Sequence, residues 1–244
     1  MEQTINNIVK WLEQRVQLAG VKGLLVGVSG GVDSAVVLHL IKRACPDQSL
    51  GVIMPLQSNP VDMDHAKKVI QSCDAKSITV DLTRTHETMQ NEINHQLGRA
   101  YNQQTGQLAD ANLRARLRMS TLYTIATHFN YLVVGTDNAS EYYTGYFTKY
   151  GDGGVDLLPI VDFTKGEVQE MAHVLGVPDE VIHKQPSADL WKGQTDEQEM
   201  GTTYEKIDAY LEGKSIPQAD RKRIEEMHKR TQHKREPIPK YPRN

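Results

Sequence analysis

Leu24-Leu25-Val26-Gly27-Val28-Ser29-Gly30-Gly31-Val32-Asp33-Ser34-Ala35 decides how the rest of this chain is read. An apolar run stops at a glycine-rich turn, and Ala35-Val36-Val37-Leu38-His39-Leu40-Ile41 follows in a helix-compatible pattern. Strand, loop and helix in that order set backbone N–H groups at a helix N-terminus, where unpaired donors and the helix dipole favour an anion. Ser29 and Ser34 add hydroxyl donors. Asp33 adds a negative charge that would repel phosphate, so a metal ion is expected to mediate. No Gly-Lys-Ser/Thr follows the glycines, which excludes a Walker A loop, and the spacing is not that of the dinucleotide fingerprint.

Working outward, short β-branched runs predict strands at 24–28, 50–54, 77–81 and 131–135. Amphipathic patterns predict helices at 5–18, 34–44, 61–73, 84–98 and 109–130. This alternation implies an α/β fold, a parallel sheet flanked by helices on both faces, with ligands at the carboxyl ends of the strands. Gly135-Thr136-Asp137-Asn138 closes the last strand at that same edge. Residues 142–156, rich in glycine and tyrosine, read as a long functional loop, and 185–200 as a polar, mobile one. With Gly145, Gly151, Gly153, Gly154 and Gly193 as hinges, both are expected to order over bound nucleotide. The chain is read as one domain over 1–244, with a helical segment at 202–232, interrupted near Pro217, and a proline-rich tail at 233–244 as appendages.

A net charge of −3 argues against nucleic acid as a partner. No apolar run reaches membrane-spanning length, and the N-terminus carries no signal-peptide pattern. Cys45 and Cys73 lack metal-ligand spacing. Together these features predict a soluble, reduced, cytoplasmic enzyme.

The Ser-Gly-Gly-Val-Asp-Ser wording resembles the pyrophosphate loop of the ATP pyrophosphatases. Later segments narrow the likeness: Asn112 to Met119, Gly135 to Glu141, Phe147 to Gly154 (Phe-Thr-Lys-Tyr-Gly-Asp-Gly-Gly), Asp156 to Pro159, Pro186 to Leu190 and His233-Lys234-Arg235. In that order they resemble the ammonia-dependent NAD synthetases from about Val21 to Arg235, and the Lys-Tyr-Gly-Asp-Gly-Gly block is the most specific part.

The resemblance implies a Rossmann-like fold of the adenine nucleotide alpha hydrolase type. It also implies a two-step reaction: deamido-NAD attacks the α-phosphorus of ATP, pyrophosphate leaves, and ammonia converts the adenylate to NAD and AMP. Carried over by motif, Gly27, Val28, Ser29, Gly30, Gly31, Val32, Asp33 and Ser34 cradle ATP, with Thr136, Lys165 and Ser187. Asp33 and Glu141 would hold Mg2+. Arg116, Lys149, Asp156, His233 and Lys234 match deamido-NAD contacts, and Asp33, Glu141, Lys165 and Asp152 are the expected catalytic residues. Arg114 and Arg118 fan away from Arg116 on the same helix and are read as solvated or in surface ion pairs. Lys165 opens a helix, where the dipole disfavours a lysine unless an anion also sits there. No residue stands out as the general base for ammonium; an aspartate such as Asp152 could take its proton.

The resemblance further implies a homodimer, to which Leu113, Leu117, Leu122, Ile125 and Ala126 are expected to lend apolar surface. It leaves no residues for a glutaminase, so free ammonia is the expected nitrogen source. Two departures stand out. Ser187 replaces the usual threonine, keeping a hydroxyl, and the wording after Met54-Pro55 leaves the adenine contacts open. The competing readings are a GMP synthetase core, a tRNA-modifying thiolase or lysidine synthetase, and a nucleotide sensor. The Lys149–Gly154 block, the absence of a basic surface or cysteine pair, and the two carboxylates argue against each in turn.

Overall fold

A computed structural model describes residues 1–187 and 195–242. Ala188, Asp189, Leu190 and Gly193, singled out above, lie outside the described residues. The strands are β1 (Gly23–Gly27), β2 (Ser49–Ile53), β3 (Lys76–Thr79) and β4 (Tyr131–Val133). The helices before β4 are α1 (Glu2–Ala19), α2 (Val32–Ala44), α3 (Pro60–Ser72), α4 (Thr83–Leu97) and α5 (Gln103–Phe129). After β4 come α6 (Ala139–Thr144), α7 (Lys165–Leu175), α8 (Asp179–Ile182), α9 (Asp196–Met200), α10 (Tyr204–Leu211), α11 (Gln218–Arg230) and α12 (Gln232–Arg235).

The four strands are parallel in the order β3-β2-β1-β4, as the alternating pattern requires. The chain builds outward from β1 through β2 to β3, then returns to the other side of β1 with β4. That reversal opens a crevice at the carboxyl ends of β1 and β4, where parallel sheets of this kind bind ligands. Both motif loops, after Gly27 and after Val133, leave the sheet there.

One face of the sheet packs on α1, α2 and α7 through Ile5, Leu12, Leu38, Ile41 and Met171, all fully buried. On the other face Leu25, Val52 and Val133 meet α5 through Ala126, with Leu117, Leu122 and Ile125 packed against them. The apolar side chains of α5 expected at a subunit contact are therefore largely spent on the sheet. The large exposed apolar side chains of α5 are Leu108 and Phe129. A third cluster joins α6, α9, α10 and α11 through Tyr143, Met200, Tyr204, Ile207 and Ile224.

The segment 142–156 differs from the expected loose loop. Its first residues complete α6, which ends at Gly145 in the left-handed region (φ 69°). A Cβ there would meet the Thr231 side chain at 2.2 Å, so close packing of the tail also requires glycine. Phe147 is buried, and Lys234 Nζ donates to the carbonyls of Gly145 and Phe147 at 2.7 and 2.5 Å.

Candidate active site

The phosphate-loop residues converge on the switch-point crevice. Gly30 has φ 83°, and a Cβ at that position would lie 2.5 Å from the Asp62 carbonyl. Only glycine lets the loop press against α3 here. The two serines brace the turn from within. Ser29 Oγ accepts from the Gly31 N–H (3.2 Å), while Ser34 Oγ accepts from the Ser29 N–H (3.2 Å) and donates to the Gly31 carbonyl (3.0 Å). Gly31 starts α2 without any side-chain cap. The first-turn N–H groups of α2 consequently face a cavity of about 380 Å³, the setting an anion favours.

Asp33, in that first turn, is held from two directions. Asn138 Nδ2 donates to Oδ1 at 2.9 Å, and Lys165 Nζ donates to Oδ2 at 2.5 Å. Asn138 is also the N-cap of α6 in a reciprocal capping box: its side chain accepts from the Glu141 N–H (3.0 Å), and Glu141 Oε2 accepts from the Asn138 N–H (3.2 Å). This leaves Glu141 Oε1 facing the site, 3.8 Å from Lys165 Nζ and 3.0 Å from the Tyr204 hydroxyl that donates to it. The spacing Asn138-x-x-Glu141 was the readable signal for that bracket, which the motif reading passed over. Tyr204 carried no such signal, because it arrives from α10 across the third cluster.

Burial, then the negative charge of Asp33, pushes the Glu141 carboxyl up to about 8. For Lys165, only 5% exposed, burial works to discharge the ammonium. The charges of Asp33 and Glu141 overcome that and hold its pKa above the ordinary lysine value. Its place at the start of α7 thus has the expected anions, supplied by the protein's own carboxylates.

Thr136 and Ser187 line the same cavity, as do Asp152 and Lys234. Asp152 opens onto it from the turn after Lys149, accepting from the Thr148 N–H at 2.8 Å. Arg116, Lys149 and His233 form a chain beside the cavity: Arg116 Nη2 donates to the Lys149 carbonyl (3.3 Å) and Lys149 Nζ to the His233 carbonyl (2.5 Å). Asp156 lies apart from them. Its oxygens accept from the Tyr123 hydroxyl (3.0 Å) and the Val133 N–H (2.8 Å), fixing the chain beside β4.

Two arginines require correction. Arg114 is not at the surface: it is buried, donating to Asp110 (2.7 Å), the Leu56 carbonyl (2.8 Å) and Gln57 (3.2 Å). It ties α5 to the segment after β2. Arg118 lines the cavity and donates to the Met54 carbonyl at 3.4 Å. Helical fanning separated these side chains from Arg116, but the segment after β2, lying along α5, collected them.

Among the described residues no group of three His, Cys, Asp or Glu side chains is arranged to hold a metal, and no helix is long and apolar enough to cross a membrane.

The family model for NAD synthase matches residues 4–238. A relative from Alkaliphilus oremlandii, an NH(3)-dependent NAD(+) synthetase, is 55% identical over 237 residues, covering 96% of this chain and 95% of its own. Among solved structures, an NMN synthetase from Francisella tularensis superposes with a TM-score of 0.92 at 36% identity, covering 98% of both chains. An NAD+ synthetase from Burkholderia pseudomallei gives a TM-score of 0.80 at 28% identity, over 96% of this chain and 89% of its own. The matched segment contains every site residue described above, and the chain belongs to the NAD synthase family of ammonia-dependent ligases.

Proposed function

We propose that this chain makes NAD from deamido-NAD, ATP and ammonia in one cavity. The observation that carries the reading is the convergence of an uncapped phosphate loop with Asp33, Lys165 and Glu141 at the sheet's switch point. Loop N–H groups, Ser29, Ser34, Thr136 and Ser187 bind the triphosphate, and Lys165 neutralises charge that develops as pyrophosphate departs. The chain Arg116–Lys149–His233, with Lys234 and Asp156, orients deamido-NAD so that its carboxylate approaches the α-phosphorus. A carboxylate cannot expel oxide, so adenylation first converts that oxygen into part of a leaving group, AMP.

Asp33 and Glu141 would hold Mg2+. The donor set fits: both are oxygen ligands, and one ammonium, Lys165, leaves one of the two carboxylate charges uncompensated. With two carboxylates, phosphate and water must complete the shell, which is how magnesium usually binds nucleotides. When bound, the ion supplies further neutralisation of the triphosphate.

The likeness to the Francisella chain favours a second reading, in which the carboxylate mononucleotide is amidated to NMN. Direct competition between the two substrates decides between them. A homodimer is the assembly we infer, and the exposed Leu108 and Phe129 of α5 support it. The adenylation step is tested by labelling the deamido-NAD carboxylate with heavy oxygen. Transfer of one label to AMP is expected; label-free AMP would refute the acyl-adenylate.

A further inference from the structure

Asp137 sits between two residues already placed, Thr136 in the cavity wall and Asn138 on Asp33, yet it has no role in the scheme above. It is 4% exposed and lines the cavity. Among the described residues no donor reaches its Oδ2, which is shut away from solvent. A buried carboxylate oxygen without a partner is costly to leave so. The charged groups that act on it are Asp152, Glu141 and Asp33 on the acidic side and Lys234 on the basic side. Two N–H groups of Lys234 are engaged by the carbonyls of Gly145 and Phe147. The pocket around Asp137 therefore has an excess of acceptors and calls for a small donor carrying positive charge.

We propose that Asp137 is a catalytic residue of the amidation step: it binds ammonium through its carboxylate and takes the first of the two protons that nitrogen must lose. The inference rests on the function proposed above. Chemistry requires two acceptors. Ammonium gives one proton to Asp137, freeing the lone pair. That pair forms the C–N bond at the adenylate carbonyl, and the C–O bond to AMP breaks with its electrons going to the phosphate oxygen. The nitrogen then gives a second proton to Asp152, which lines the same cavity, leaving the neutral amide. Burial, and then the charge of Asp152, raises the Asp137 carboxyl well above its ordinary range, which makes it a stronger acceptor for an ammonium proton.

The test compares nucleophiles that differ in whether they must lose a proton before attack. Hydroxylamine is neutral near pH 7.5, whereas ammonia there is mostly ammonium. In Asp137→Asn, kcat/KM for ammonium should fall by about 100-fold, the usual scale for losing a positioned proton acceptor. Hydroxamate formation with hydroxylamine, and pyrophosphate release on mixing ATP with deamido-NAD, should change by less than about threefold. Asp137→Ser should give the same split. Equal loss with both nucleophiles, loss of pyrophosphate release, or unchanged use of ammonium would overturn the assignment. Failure of the unaltered protein to release pyrophosphate would instead refute the adenylation reading on which it stands.

Discussion

Lys165 Nζ lies 2.5 Å from Asp33 Oδ2, joining the first residue of α7 to the first turn of α2 across the mouth of the sheet. The same ammonium is 3.8 Å from Glu141 Oε1 and 4.8 Å from the Tyr204 ring centre. Three helices are thus registered on one cation. Lys165→Met removes it and leaves two largely buried carboxylates without their counter-charge. The variant should lose about 3 kcal/mol of stability, as broken buried pairs do, and most of its pyrophosphate release. Denaturant unfolding beside a pyrophosphate assay checks both.

Asp33→Asn and Glu141→Gln keep shape and remove charge. Each should slow adenylate formation by at least about 100-fold while changing deamido-NAD affinity far less. Titrating magnesium separates the two effects. Unchanged pyrophosphate release at limiting magnesium would remove that carboxylate from the metal site.

His39, buried between α2 and α3, gives a pH signature away from the chemistry. Its Nδ1 donates to the Ala35 carbonyl at 2.8 Å, and its Nε2 lies 3.2 Å from Ser72 Oγ. Burial lowers its pKa below the ordinary histidine value. The unfolded chain then binds the proton more readily than the folded one, so this contribution to stability is complete above about pH 6.5 and fades as pH falls below it. His39→Leu should flatten the fall in melting temperature between pH 7.5 and 5.5. An unchanged slope would show that His39 is not its source.

The proposed homodimer should persist at micromolar protein in sedimentation. Leu108 and Phe129 are 58% and 45% exposed on α5, and a twofold contact would cover them. An active monomer at that concentration would contradict the assembly.

Much of this arrangement was legible in the sequence because the signals were local. β-branched runs ended at Gly27 and Val133, and the glycine loop and the Gly-Thr-Asp-Asn turn left the same edge. The start of α5 was missed by six residues because Asn102, whose side chain accepts from the Gln104 N–H, caps the helix well before the apolar pattern begins. Side-chain destinations were harder to read. Arg114 became a buried tie because the Leu56 carbonyl, far away in sequence, turns toward α5. Tyr204 reaches Glu141 only after α10 has docked on the third cluster. Such contacts depend on packing between distant elements and leave no spacing to find. The segment 142–156 misled for a related reason: its irregular composition suggested freedom, but Lys234 and Thr231 from the tail pin it.

The proposed reaction joins ammonia to an activated nicotinate carboxylate at this site. The most direct measurement supplies purified protein with ATP, Mg2+ and deamido-NAD, and follows NAD, AMP and pyrophosphate with ammonium or glutamine as the nitrogen source. The three products should appear in equal amounts with ammonium, and negligible NAD should form with glutamine. No NAD with ammonium, or equal rates with glutamine in the absence of any partner protein, would contradict it.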